Sequence, residues 1–244
     1  MTDRVISGTP ATATSAIADH LDRLRRLDAC AVSDALDTLG LPGAVTGLAP
    51  TWPDRRVTVG RARTIKAGPK TAAGPQTHVA TPLVASTAKD DIVVIDNGGR
   101  TDVSCFGGLL AQAAKGNGVS GVIVDGACRD IPEYEDLDLP VYALAPVQIS
   151  ARGRIVQEDM DVAVQVRGVT VSPGDLVIAD RNSVVFVPAA HAAAVIALAE
   201  RIVAREQGMG EAVALGQSVV EVMHDSRFPA VSAGAVPADE GKGM

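Results

Sequence analysis

The sequence predicts an α/β protein: a β/β/α arrangement with a compact barrel-like centre and flanking helices. Three observations predict it. Two short apolar runs, Asp91 to Asp96 (DIVVID) and Gly121 to Asp125 (GVIVD), enclose a segment where Leu109, Leu110, Ala113 and Ala114 recur at helical spacing. Strand, helix and strand in that order make a right-handed crossover with parallel strands. Further on, Ile155 to Val166 alternates apolar and polar residues, and Asp175 to Val187 reads as a hairpin around Asp180 to Ser183, with no helical stretch between. Amphipathic segments stand at both ends of the chain. A parallel unit joined to such a meander suits a sheet that curls on one core and is covered by helices.

Taken in order, Met1 to Ala16 are rich in Thr, Ser, Ala and Pro without the long apolar centre of a secretion signal, so residues 1–16 read as a flexible arm. Ile17 to Leu27 (IADHLDRLRRL) puts Ile17, Leu21 and Leu24 on one helical face. A second helix is expected with Ser33 as its N-cap and Gly40 as its stop, which places Asp34 and Asp37 in a first turn where they complement the dipole. VTVGRARTIKAG from Val57 is a strand, and Gly68 to Thr77 reads as a mobile loop. Asn97 to Phe106 is too long for an ordinary connection. Ile131 to Asp138 carries Glu133, Glu135, Asp136 and Asp138, the mark of a solvated helical face. Pro140 to Ala143 is a short strand, and His191 to Arg205 and Glu211 to Met223 are closing helices. Ala230 to Met244, rich in Ala, Gly and Pro, is a frayed tail, which leaves 17–229 as one domain.

Composition narrows the function. The chain has 244 residues, 47% of them apolar, enough for a sizeable core. A net charge of −7 and 2% aromatics argue against a nucleic-acid partner, which needs surplus cations and stacking surfaces. No apolar run reaches bilayer length, so no membrane partner is expected. Cys30, Cys105 and Cys128 have no CxxC spacing and suit a reducing, cytoplasmic setting. With no histidine placed beside Cys105 or Cys128, both read as packing residues.

The chemistry concentrates between Cys105 and Asp130 (CFGGLLAQAAKGNGVSGVIVDGACRD). Two loops leave the same edge of a parallel sheet, where open α/β sheets hold ligands. The first ends in Gly107 and Gly108 and opens a helix, offering backbone N–H groups and a dipole to a small anion. The second offers Arg129, a planar fork of donors, beside Asp130, a hard oxygen ligand. Together they suit a small oxo acid. The plainer account is a glycine pair giving positive φ in a turn and a solvated arginine–aspartate pair.

The pattern GGLLAxAAKxxGVxGVIVDGxxRD resembles that of the RraA-like family, which includes divalent-metal-dependent 4-hydroxy-4-methyl-2-oxoglutarate / 4-carboxy-4-hydroxy-2-oxoadipate aldolases. Supporting similarity extends over most of Asp28 to Gly216, including VSDALDTLGLPG and SPGDLVIADRNSVVFVP. The resemblance implies the family's β/β/α fold, with Gly107, Gly108, Leu109 and Leu110 holding the substrate's carboxylate and Arg129 binding the substrate. It also implies that Asp130 ligates Mg²⁺ or Mn²⁺, and that Glu206 reaches a neighbouring subunit's metal-bound water in a homotrimer or homohexamer. The expected activity is retro-aldol cleavage of a 4-hydroxy-2-oxo diacid to pyruvate, with oxaloacetate decarboxylation through the same enolate. Aldolase members often carry an acid at the position of Gly108, so this chain departs there. The family also contains protein-binding regulators of a ribonuclease, which is the alternative function. Lys66, Lys70, Lys89, Lys115 and Lys242 fall in expected loops or at a helix end, poor places for a Schiff-base lysine.

Overall fold

A computed structural model of the chain describes residues 10–224 and 231–232. Helix α1 (Pro10–Leu24) begins inside the stretch expected to be an arm. Pro10 sits at the first helical position, where its fixed φ helps and its missing N–H costs nothing, and the alanines after it are strong helix formers. Residues 1–9 and most of the expected tail lie outside the described residues.

Helix α2 (Ala29–Thr38) is capped by Asp28, whose side chain accepts the Ala31 N–H, and not by Ser33. Asp180 accepts the Ala29 N–H at 3.0 Å from the hairpin turn. Two carboxylates therefore serve one helix start, and Asp34 and Asp37 fall later in the helix. Gly40, at φ +67°, ends it as expected.

Short strands β1 (Ala44–Val45) and β2 (Ala49–Pro50) lead into the long strand β3 (Thr58–Pro69) and helix α3 (Thr81–Ala85). β3 runs through Gly68 and Pro69, the start of the expected loop, because both pair with β7 (Ile155–Met160). Strand β4 (Asp91–Ser104), helix α4 (Gly108–Gly116) and strand β5 (Gly121–Cys128) form the crossover. The overlong segment after Asp96 is no loop. It stays in the sheet beside β5, with register shifts around Arg100 that absorb the extra residues. Helix α5 (Ile131–Asp136) and strand β6 (Val141–Pro146) follow.

The expected strand 155–166 divides at Asp161, whose φ is +52°, into β7 and β8 (Val164–Val166), and β8 pairs with the following β9 (Val169–Val171). Strands β10 (Leu176–Ala179) and β11 (Val184–Val187) form the expected hairpin. Helix α6 (Ala192–Ala214) runs without interruption where two helices were expected. Gly208 and Gly210 fail to stop it because strong helix formers flank them and Met209 and Ala212 pack against Val222 of the short α7 (Val219–Val222).

Among the described residues the main sheet has the order β1-β11-β10-β3-β4-β5-β6-β2, with β7 also on β3. β3, β4, β5 and β6 are mutually parallel. Alternation along the strands sorts side chains into layers. Ile92, Val94, Ile123, Val177 and Phe186 meet in an interior that also receives Val164, Val166 and Val171, which is the barrel-like centre. Val93, Ile95, Val122 and Val124 face outward onto α3, α4 and α5. Val59, Leu176, Ile178 and Val185 face α1, α2 and α6. The strands read as unbroken apolar runs because both faces are covered.

Candidate active site

The ends of β4 and β5 are tied together before either becomes a loop. Cys105 N–H donates to the Ala127 carbonyl at 3.1 Å, and Arg129 N–H donates to the Phe106 carbonyl at 3.1 Å. That same Phe106 carbonyl accepts the Ser104 hydroxyl at 2.9 Å and the buried Tyr134 hydroxyl from α5 at 3.0 Å. The Phe106 and Tyr134 rings pack with centroids 6.0 Å apart. Two strand ends and a helix are thus fixed on one carbonyl oxygen, which makes a rigid base for the groups beyond it.

Beyond it, Gly107 and Gly108 lie against Arg129 and Asp130. Gly108 N–H donates to Asp130 Oδ2 at 3.0 Å, and Arg129 Nε stands 3.3 Å from the same oxygen. A Cβ at 107 would fall 2.7 Å from Asp130 Oδ2 and 3.2 Å from Arg129 Nε, so any other residue there would push these two side chains from their present positions. Neither glycine has positive φ. Asp130 does, at φ +63° and ψ +40°, a left-handed conformation that aspartate tolerates better than most residues. Strain of this kind gathers at functional positions. The Gly108 amide is engaged by Asp130, so in the first turn of α4 the amides of Leu109 and Leu110 are the ones lacking an intrahelical carbonyl. Leu109 is 83% exposed at the mouth, whereas Leu110 leans on the core.

Glu133 is the residue that sequence reasoning missed. Its carboxylate fills the space that a side chain on residue 108 would take: a Cβ at 108 would stand 1.7 Å from Glu133 Oε2 and 2.2 Å from its Cδ. An acid is therefore present beside Asp130, supplied from α5 and not from position 108. The signal was the acidic run after Asp130, read as a solvated face. The run is solvent-exposed at Glu133, as expected, but in the first turn of α5 its carboxylate also stands against Gly108, while Asp138 pairs with Arg56 at 2.7 Å.

Gly107, Gly108, Leu109, Leu110, Arg129 and Asp130 line a cleft of about 610 Å³ whose wall also includes His78, Thr81, Ser150 and Arg152; Glu133 is not on that wall. His78 Nδ1 lies 3.0 Å from the Val79 carbonyl and 3.0 Å from the Thr81 hydroxyl. Cys105 is on the wall too, but burial pushes its thiol well above the ordinary range, and the Cys128 thiol up to about 12. Neither supplies a thiolate at neutral pH. Glu206 is exposed on α6 and is not on the wall of its own chain's cleft; Glu200 is bound to Arg23 through two hydrogen bonds of 2.8 and 2.7 Å.

Among the described residues no three His, Cys, Asp or Glu side chains gather as a complete metal cage. A pair of carboxylates, Asp130 and Glu133, is nonetheless a fitting donor set for a hard divalent cation of the magnesium kind, which takes one or two carboxylates and keeps water or substrate oxygens on its other positions. Among the described residues no helix is long and apolar enough to cross a membrane.

The sequence model of a family described as RraA-like, Aldolase/RraA, matches residues 29–186. Protein DlpA of Legionella pneumophila is 28% identical over 205 residues, covering 84% of this chain and 33% of that protein. A Pseudomonas aeruginosa protein provisionally named 4-hydroxy-4-methyl-2-oxoglutarate aldolase is 38% identical over 109 residues, covering 44% of this chain and 65% of the other. The matched part is thus a third of the first relative and just under two thirds of the second. The crystal structure of an uncharacterized protein from Pseudomonas syringae pv. tomato superposes with a TM-score of 0.76 at 28% identity, covering 85% of this chain and 98% of that one.

Proposed function

The chain belongs to the RraA-like family, and on that premise we propose that it is a divalent-metal-dependent lyase. Its reaction is retro-aldol cleavage of a 4-hydroxy-2-oxo diacid to pyruvate and a second carbonyl compound, with decarboxylation of oxaloacetate as a companion activity. One observation carries the reading: Arg129 and Asp130 line one cleft with the amides that open α4, and the Glu133 carboxylate stands against Gly108 at that helix start.

Each group then has a task. A bound Mg²⁺ or Mn²⁺ would supply Lewis acidity toward the 2-oxo group, and Asp130 and Glu133 would hold it. The amides of Leu109 and Leu110, at the positive end of α4, take the substrate's 1-carboxylate, and Gly107 leaves room for its approach. Arg129 presents its guanidinium to the 2-oxo oxygen, which gains negative charge as the C4 hydroxyl gives up its proton to become a carbonyl, the C3–C4 bond breaks and the electron pair passes into the enolate; a proton returned to C3 then gives pyruvate. A donor already in place at that oxygen lowers the barrier without reorganisation. Arg129 is itself held by the Asp130 carboxylate and by its backbone bond to Phe106. The assembly into a homotrimer or homohexamer belongs to the same proposal, because Glu206 can serve a cleft only in a neighbouring subunit.

The test is pyruvate release from 4-hydroxy-4-methyl-2-oxoglutarate, with oxaloacetate alongside. Chelation should abolish release and Mg²⁺ or Mn²⁺ should restore it. Borohydride trapping of a lysine adduct would overturn the metal-dependent route. Absence of turnover of both compounds at saturating Mn²⁺ would favour the rival reading, a regulator that binds a ribonuclease without catalysis.

A further inference from the structure

We propose that Arg152 is a specificity-determining residue that binds a second, distal acid group of the ligand on the wall of the same cleft as Arg129. The inference rests on the oxo-acid reading of the site and adds the residue that selects diacids over monoacids. Three observations lead to it.

The cleft, at about 610 Å³, is in the range that holds a ligand well beyond three carbons, so the pyruvate half occupies only one end. On the remaining wall Arg152 is the one cation besides Arg129. The distal end therefore favours a negative group.

Arg152 also stands on a backbone that is held firmly. Ser104 N–H donates to the Ile149 carbonyl at 2.9 Å, which ties this connection to the end of β4. Arg152 N–H donates to Ser150 Oγ at 3.1 Å, and the Arg154 guanidinium donates to the carbonyls of Ser150 and Arg152 at 3.1 and 3.4 Å. Arg154 N–H and Ile155 N–H both donate to the Ala151 carbonyl, at 2.9 and 3.1 Å. The turn is thus cross-linked to itself and to the strand that delivers Gly107.

The guanidinium of Arg152, by contrast, has no hydrogen bond or ion pair to a described residue. Its neighbour Arg154 is occupied with carbonyls, and Arg23, Arg25, Arg56, Arg61, Arg63, Arg100 and Arg167 are each paired with a carboxylate. A cation on a fixed base, facing a ligand cleft and bound to nothing of its own, is arranged to meet an acid from outside the chain. Arginine suits this because its planar fork matches a carboxylate with two parallel bonds.

The test uses non-cleavable probes, so that binding is read apart from turnover. With Mg²⁺ present, calorimetric titration should show wild type binding 2-oxoglutarate about tenfold more tightly than 2-oxopentanoate, the same chain length without the distal acid. Arg152→Ala should erase that preference and leave 2-oxopentanoate affinity unchanged; Arg152→Lys should keep part of it. Equal affinities in wild type, absence of binding by both probes, or a preference that survives Arg152→Ala would overturn the proposal. A wild type that prefers 2-oxoglutarate but fails to cleave 4-hydroxy-4-methyl-2-oxoglutarate would sustain the diacid site and refute the lyase reading alone.

Discussion

Replacing Gly108 by alanine tests whether the acid from α5 stands in for an acid at position 108. The added Cβ would sit 1.7 Å from Glu133 Oε2, whereas ordinary contact begins at 3.4 Å, so the carboxylate must retreat by about 1.7 Å. The far end of a flexible glutamate can do this at little cost to the fold. Gly108 opens α4 without positive φ, and alanine is the better helix former by up to about 1 kcal/mol. For a chain of this size the melting temperature should stay level or rise by roughly 2–4 °C. The site should suffer instead. Displacing one of two carboxylates is expected to weaken Mn²⁺ binding by about 10- to 100-fold, a scale seen when supports of a metal site are removed. Calorimetric Mn²⁺ titration reads the affinity, and coupled pyruvate detection reads kcat/KM. Glu133→Gln should give the same loss without added bulk, and Gly108→Asp with Glu133→Ala should return an acid from the other side and recover part of the affinity. A Gly108→Ala protein that binds Mn²⁺ and turns over like wild type would refute the argument.

Two further expectations follow from charge. If Arg129 meets an oxygen whose charge grows toward the enolate, Arg129→Ala should lower kcat more than it raises KM, by about 3–4 kcal/mol or a hundredfold to a thousandfold, and Arg129→Lys should recover only part; steady-state cleavage with unaltered rates in Arg129→Ala would exclude the role. Glu200, hydrogen-bonded by Arg23, has its carboxyl held below the ordinary value of 4.5, so its stabilisation of the α1–α6 contact is complete above that pH and lost as pH falls through the folded-state value. The pair is partly exposed, so Glu200→Gln should cost only about 0.5–1 kcal/mol at pH 7 and flatten the acid limb of the melting-temperature curve; a limb identical to wild type would rule this out.

The crossover was legible because β4, α4 and β5 have distinct periods, two-residue alternation being replaced by a run where both faces are covered. Gly107, Gly108, Arg129 and Asp130 were legible as a pair of loops for the same reason: parallel strands send both to one edge. Glu133 was not, because a carboxylate in an acidic run looks the same whether or not it also stands against a glycine 25 positions earlier. At the start of α2 the contribution of Asp180 from a distant turn leaves no local mark, whereas Asp28 and Ser33 are equally good local caps and only the packing of the helix decides between them. His78 and Arg152 reached the cleft from segments read only as connections, since their placement depends on tertiary bonds such as Ser104 to Ile149. The length of β4 was hidden by Gly98 and Gly99, whose positive φ marks irregular strand as readily as loop.

The bonds from Arg129 to Phe106 and from Gly108 to Asp130 close the chain into a ring whose contour is one helix, one turn and one strand. Such a ring has a fixed circumference. A residue inserted along α4 would rotate one side of the site by about 100°, and one inserted along β5 without a compensating bulge would flip it to the opposite face of the sheet. Variation in length must be accommodated elsewhere, as in the exposed stretch between Lys70 and Thr77. The interval between Gly108 and Arg129 therefore works as a ruler, and a chain that keeps both residues but changes their separation should not be expected to keep the chemistry.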